Sequence, residues 1–130
     1  MTTRASAPTT ARYLVAPGAA TETAGAGAVF ELANLAGRPL LVILRISETI
    51  EQESLQVSVW GSADGQAWGA QPLFSFPQKF YSGVTPAALD LQLKPEVKYL
   101  QARWEVDRWG RGKPLPRFGF MVEVQELQPE

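Results

Sequence analysis

Residues 57–68 read Val57-Ser-Val-Trp-Gly-Ser-Ala-Asp-Gly-Gln-Ala-Trp68. Small polar and large apolar side chains alternate into Asp64-Gly65, two residues that tolerate the positive φ angles of a tight turn. The reading is a strand entering an Asp-Gly hairpin and returning through Trp68, which places the chain among antiparallel β proteins. The flanking sequence agrees. Apolar stretches recur from residue 28 onward with proline and glycine between them, and no helical period lasts beyond a turn or two.

Strands are predicted near 28–33, 39–47, 54–61, 72–76, 87–93, 97–106 and 117–127, with an additional candidate at 12–15. Seven or eight short strands of this kind predict an all-β, antiparallel β-sandwich of jelly-roll type. Length predicts one domain, since 130 residues can bury a sizeable core. Residues 1–27 are set apart as a low-complexity arm and 28–130 as the sandwich. The first 28 residues hold nine alanines, six threonines and three glycines, too little apolar surface to order alone. A flexible arm and an arm docked on something, such as a neighbouring subunit, are both open on that composition.

Alternation assigns faces. Leu55, Val57 and Val59 point to the core and leave Gln56, Ser58 and Trp60 on the polar side. Leu100, Ala102, Trp104 and Val106 face inward, as do Phe118, Phe120, Val122 and Val124. The strand at 39–47 is different: Leu40, Val42, Leu44 and Ile46 form one apolar face, and Leu41 and Ile43 make the other apolar too. Both faces then need cover. Tyr13, Leu41 and Ile43 are therefore the candidate assembly face, with the N-terminal arm or a second protomer as the cover.

Composition excludes whole classes of chemistry. The chain has no histidine and no cysteine, which removes Ser-His-Asp and Cys-His nucleophiles and the usual zinc ligand sets. Glu105 with Asp107, or Glu51 with Glu53, could pair as carboxylates at about 6–7 Å along a strand. Arg103 and Arg108 flank the first pair, and cross-strand ion pairing explains it without catalysis. No enzyme activity, cofactor or metal is expected. Ser62 and Asp64 could offer oxygens to calcium, but one carboxylate is too few, and a side-chain-capped turn is favoured.

Twelve basic and thirteen acidic residues leave a net charge of −1, with no global field toward nucleic acid or anionic membrane. No apolar run approaches the ~20 residues of a spanning helix, and no signal peptide is read at the N-terminus, so a cytoplasmic protein, or one released without a signal, is the default. Protein is the expected partner, through self-association or a larger assembly, with a glycan as the alternative. The candidate contact residues are Trp60, Tyr81, Arg108, Trp109 and Arg111. Trp109 and its arginines lie in the Gly- and Pro-rich stretch 103–117, where an aromatic beside cations can stack on a sugar or a partner's side chain. A Trp109 folded back onto the open end of the sandwich is the competing reading. Tyr81 belongs to Pro72-Leu-Phe-Ser-Phe-Pro-Gln-Lys-Phe-Tyr81, with four aromatics in ten residues.

Trp60-Gly-Ser-Ala-Asp-Gly-Gln-Ala-Trp68, followed by Lys98-Tyr-Leu-Gln-Ala-Arg-Trp104 and Phe118-Gly-Phe-Met-Val-Glu-Val124, resembles the closing half of discoidin-like, galactose-binding-like modules. The resemblance covers residues 55–127 and implies a jelly roll, in a family many of whose members recognise glycans or lipid headgroups through loops at one end. The family's paired cysteines are missing, and its ligand loops cannot be matched residue by residue. The Asp64-Gly-Gln-Ala-Trp68 hairpin also resembles those of β-sandwich structural proteins of phage particles. The expected function is a non-enzymatic structural or interaction subunit that packs into a larger assembly through its N-terminal arm and an aromatic surface, with a carbohydrate-binding module using exposed tryptophans on loops as the alternative.

Overall fold

The computed structural model describes residues 12–16, 20–21, 24–48, 53–108 and 118–127. Its strands are β1 (Arg12–Val15), β2 (Ala20–Thr21), β3 (Gly25–Ala26), β4 (Phe30–Glu31), β5 (Pro39–Glu48), β6 (Glu53–Ser62), β7 (Phe74–Ser75), β8 (Gly83–Asp90), β9 (Tyr99–Arg108) and β10 (Phe118–Glu126), with one 3-10 turn at Ala33–Leu35. They form two antiparallel sheets. The first has the order β1-β10-β5-β8, with β2 also on β10; the second has the order β3-β9-β6-β7, with β4 also on β9.

The two sheets close over one apolar interior. Leu40, Val42, Leu44 and Ile46 of β5 and Phe120, Val122 and Val124 of β10 are buried against Leu55, Val57 and Val59 of β6 and Leu100 and Ala102 of β9. These are the inward positions that period-two alternation selects. Trp104 is partly buried at the edge of this core and meets Phe120 edge-to-face at 5.2 Å, joining the two sheets. Phe74 and Phe76 pack edge-to-face at 5.1 Å on the same core.

The long strands lie where the pattern puts them, whereas three expected stretches differ. At 28–33 only Phe30–Glu31 is extended. Leu32 and Leu35 are both buried, and three-residue spacing on one side suits a 3-10 turn rather than a strand, whose faces alternate. The strand expected at 87–93 runs instead over Gly83–Asp90, because an unbroken ladder from Ile46↔Gly83 to Pro39↔Asp90 carries it past Gly83 and Pro86. Asp90 Oδ1 then accepts the N–H of Gln92 at 2.9 Å and turns the chain. The third difference is the hairpin. Chain return occurs not at Trp68 but at Leu73–Phe76, where Leu73 N–H donates to Val59 O and Phe76 N–H to Val57 O, both at 2.8 Å.

The stretch before residue 28 contributes to both sheets. Arg12, Tyr13 and Val15 pair with Val124, Glu123 and Val122, with a bulge between Tyr13 and Val15 that lets Leu14 and Val15 both reach the interior. Gly25 and Ala26 cross to the other sheet and pair with Trp104 and Arg103. Gly27 makes that crossing possible: a Cβ there would stand 2.5 Å from the backbone oxygen of Leu14. Its N–H donates to Ala102 O at 2.8 Å.

Leu14 is 3% exposed and Leu93 is 87% exposed. Leu14→Ala is expected to lower unfolding free energy by about 2–4 kcal/mol, as for other buried leucines, and Leu93→Ala by less than about 0.5 kcal/mol. Denaturant midpoints of the two variants check this. Equal, small effects would mean that β1 adds nothing to the stability of the sandwich.

Candidate functional site

The outward residues of the second sheet build a site-like surface. Antiparallel register sets Gln56 opposite Glu105, Ser58 opposite Arg103 and Trp60 opposite Gln101, all on the side turned away from the core. With Pro72 and Ser75, the side chains of Gln56, Ser58, Trp60, Arg103 and Glu105 line a groove of about 450 Å³, which Gly25 and Trp104 close at the β3 side. Glycine at 25 leaves room there, since a Cβ would sit 3.0 Å from the Trp104 ring.

Arg103 is the centre of this groove. Its guanidinium lies 4.3 Å from the centroid of the Trp60 ring and 5.8 Å from that of Trp68, which the loop after β6 brings in. Arg103 Nε–H donates to Gln101 Oε1 at 3.0 Å, and Gln101 Nε2 donates in turn to Gly27 O at 2.9 Å. Trp60 is fixed as well: its Nε1–H donates to Ser58 Oγ at 2.9 Å, and the Ser58 hydroxyl donates to Arg103 O at 3.4 Å. The aromatic plane and the cation are thus held by side chains that are themselves anchored to backbone. Ion pairs among the described residues join Arg38 to Glu126 and Arg45 to Glu123, and no carboxylate of the described residues lies within 4 Å of the Arg103 guanidinium.

Next to the groove, the turn that follows β6 is organised by two side chains. Ser62 Oγ accepts the N–H of Gly65 at 2.8 Å and of Asp64 at 3.2 Å, while its hydroxyl donates to Asp64 Oδ1 at 3.0 Å. Asp64 Oδ1 also accepts the N–H groups of Gln66 and Ala67, both at 2.9 Å. Gly65 has φ 81° and lies against the Tyr99 ring. A turn that satisfies its own donors in this way does not extend a ladder toward Trp68, which frees that ring to reach Arg103. Among the described residues no group of three acidic side chains could hold a metal ion.

Of the contact residues expected from sequence, the structure puts Trp60 in the groove. Tyr81 is 80% exposed and lies beside Phe80, with ring centroids 6.4 Å apart. It follows Lys79, which pairs with Leu55, so it belongs near the opposite end of β6, about 16 Å along the strand from Trp60. These two rings do not share a surface. Arg108 ends β9 opposite Glu53; its side chain, with Trp109 and Arg111, lies outside the described residues. Arg103, Gln101 and Trp68 were not singled out as site residues. Writing the outward residues of β6 and β9 opposite one another would have found the first two.

Tyr13, Leu41 and Ile43 fall together on the outward side of the first sheet. Tyr13 pairs with Glu123, Glu123 with Ile43, and Ile43 with Pro86, so all four occupy one row across the strands. Ile43 is 6% exposed and Leu41 half-buried. β1 lies beside β10, in the plane of this sheet, rather than across β5.

Asp64 ionises at lower pH than an ordinary aspartate, because the N–H groups of Ala67 and Gln66 and then the Ser62 hydroxyl favour its charged form. A carboxylate so shifted stabilises the fold above its unfolded pKa and loses that contribution as pH falls through the lower, folded value. Asp64→Ala is therefore expected to melt at lower temperature than the wild type at neutral pH, with the gap closing only below the ordinary aspartate range. Thermal unfolding over a pH series tests the sign: a gap that widens on acidification contradicts it. Comparison with known proteins finds no matching family model and no matching curated protein.

Proposed function

We propose that this chain is a non-enzymatic jelly-roll subunit that packs into a larger assembly through the outer side of its first sheet. The strand orders β1-β10-β5-β8 and β3-β9-β6-β7 support the jelly-roll part, since most long strands are followed in sequence by one in the other sheet. The discoidin-like resemblance of residues 60–68 belongs to the same reading. Lack of histidine and cysteine supports action by contact rather than by proton transfer or nucleophilic attack.

One observation carries the assembly reading. Around Tyr13, Leu41 and Ile43, the same outward side holds Met121 and, on β8, Val84, Pro86 and Ala88. Val84 is 57% exposed. A sheet side that faced only water would be polar at these positions. The partner we assign is a second copy of this chain. The side carries both signs of charge, Arg45 and Glu123 at 3.5 Å, so two copies related by a two-fold axis can set cation against carboxylate. Pro86 removes a donor from edge strand β8, which favours stacking of faces over edge-to-edge sheet extension.

Val84→Arg and Leu41→Gln are expected to shift the protein from dimer or higher oligomer to monomer while leaving the circular dichroism spectrum unchanged. Light scattering at increasing concentration reads the mass. A wild type that stays monomeric at high concentration ends this proposal.

A second reading, recognition of a carbohydrate, is favoured by the groove of the second sheet. There the aromatic Trp60 lies beside the hydrogen-bonding groups of Gln56, Ser58 and Ser75. Such a mixture suits a ligand with apolar C–H faces and a rim of hydroxyls.

A further inference from the structure

We infer that the Arg103 groove binds an acidic sugar chain, with a ligand carboxylate received by the Arg103 guanidinium. This rests on the carbohydrate reading of the groove and adds the charge class of the ligand and the residue that selects it.

The argument starts from how Arg103 is held. Ring stacking on Trp60 and the Nε bond to Gln101 fix the guanidinium plane, so little side-chain freedom is left to lose on binding. Nε is occupied, and among the described residues no carboxylate within 4 Å engages the terminal nitrogens. A planar fork of N–H donors, immobilised and unpaired with any carboxylate of the described residues, is matched to a carboxylate taken in bidentate fashion.

Glu105 decides between kinds of acidic ligand. It lines the same groove two residues along β9, and as an ionised carboxylate it can only accept hydrogen bonds. A peptide of successive acidic residues would set negative charge against it. A uronic-acid chain bears one carboxylate per ring, amid hydroxyls that can donate to Glu105 and exchange hydrogen bonds with Gln56 and Ser75. The sugar's C–H face has Trp60 and Pro72 as its apolar neighbours.

The test titrates the full chain with oligogalacturonate, with a neutral galactose oligosaccharide of similar length, and with oligoglutamate, following tryptophan fluorescence and heat. Oligogalacturonate is expected to bind at least about 10-fold more tightly than the neutral oligosaccharide, and to weaken as salt is raised. Arg103→Gln should remove that preference and Arg103→Lys should restore only part of it, because lysine keeps the charge and loses the fork. Glu105→Gln, at an exposed position, should strengthen uronate binding by lifting a like charge, and gives a readout if Arg103 variants fold poorly.

Three results would overturn the inference, and they separate it from the reading beneath it. Equal binding of neutral and acidic sugars, lost in Trp60→Ala and unchanged in Arg103→Gln, refutes the carboxylate and keeps the carbohydrate. Binding of neither sugar refutes both. Tighter binding of oligoglutamate than of oligogalacturonate replaces the sugar with an acidic peptide.

Discussion

The apolar interior shared by β5 and β10 on one side and β6 and β9 on the other is the constraint that everything else in the molecule answers to. Val42, Leu44, Val57, Val59, Ala102 and Val122 are all at or below 1% exposure, and each sits at an alternate position of its strand. At about 25 cal/mol per Å² of apolar surface removed from water, that contact outweighs any local turn preference. It fixes the register of all four strands, since a slip by one residue would turn every one of these side chains outward. Register in turn decides which side chains meet on the outer surfaces. Arg103 lies beside Ser58 and near Trp60 because Val57 and Val59 are committed inward.

The two outer surfaces differ in kind, although they belong to sheets of similar build. The first carries aliphatic side chains beside the ion pair of Arg45 and Glu123. The second carries tryptophan, arginine, amides and hydroxyls arranged around a groove. One is suited to broad dry contact and the other to a ligand with directional polar groups. The proposed functions follow this division, so a single chain can join neighbours with one side and hold a ligand with the other.

Much of the sandwich is legible in the sequence because period-two alternation is a direct image of burial. It reads cleanly at residues 54–61, 97–106 and 117–127. It fails where main-chain pairing rather than side-chain burial makes the strand. Gly83 and Pro86 look like breakers, yet β8 is held along its length by β5. Ala20-Thr21 and Gly25-Ala26 carry no strand signal of their own and are extended because β10 and β9 offer partners. Asp64-Gly65 signals a turn correctly. The backbone donors that Ser62 and Asp64 take up leave no ladder at Trp68, and the return falls to the strand expected at 72–76, observed as Phe74–Ser75. Trp60 was legible as an outward residue of β6. Its meeting with Arg103 was not, because it depends on the pairing of strands more than forty residues apart.

The partnership of β1 with β10 joins Arg12 to Val124, close to the two extremes of the described chain. Strand pairs of such separation close large loops, and their entropic cost falls before any contact repays it. During synthesis β1 is made before β10, and its ladder partner is missing until β10 has left the ribosome. The side of β10 that it will occupy stays open for that interval, and so does the interior beneath Leu14 and Val15. Closing this pair is the least local step of the sandwich, and until it forms the free edge of β10 is the part of the sheet open to wrong pairing.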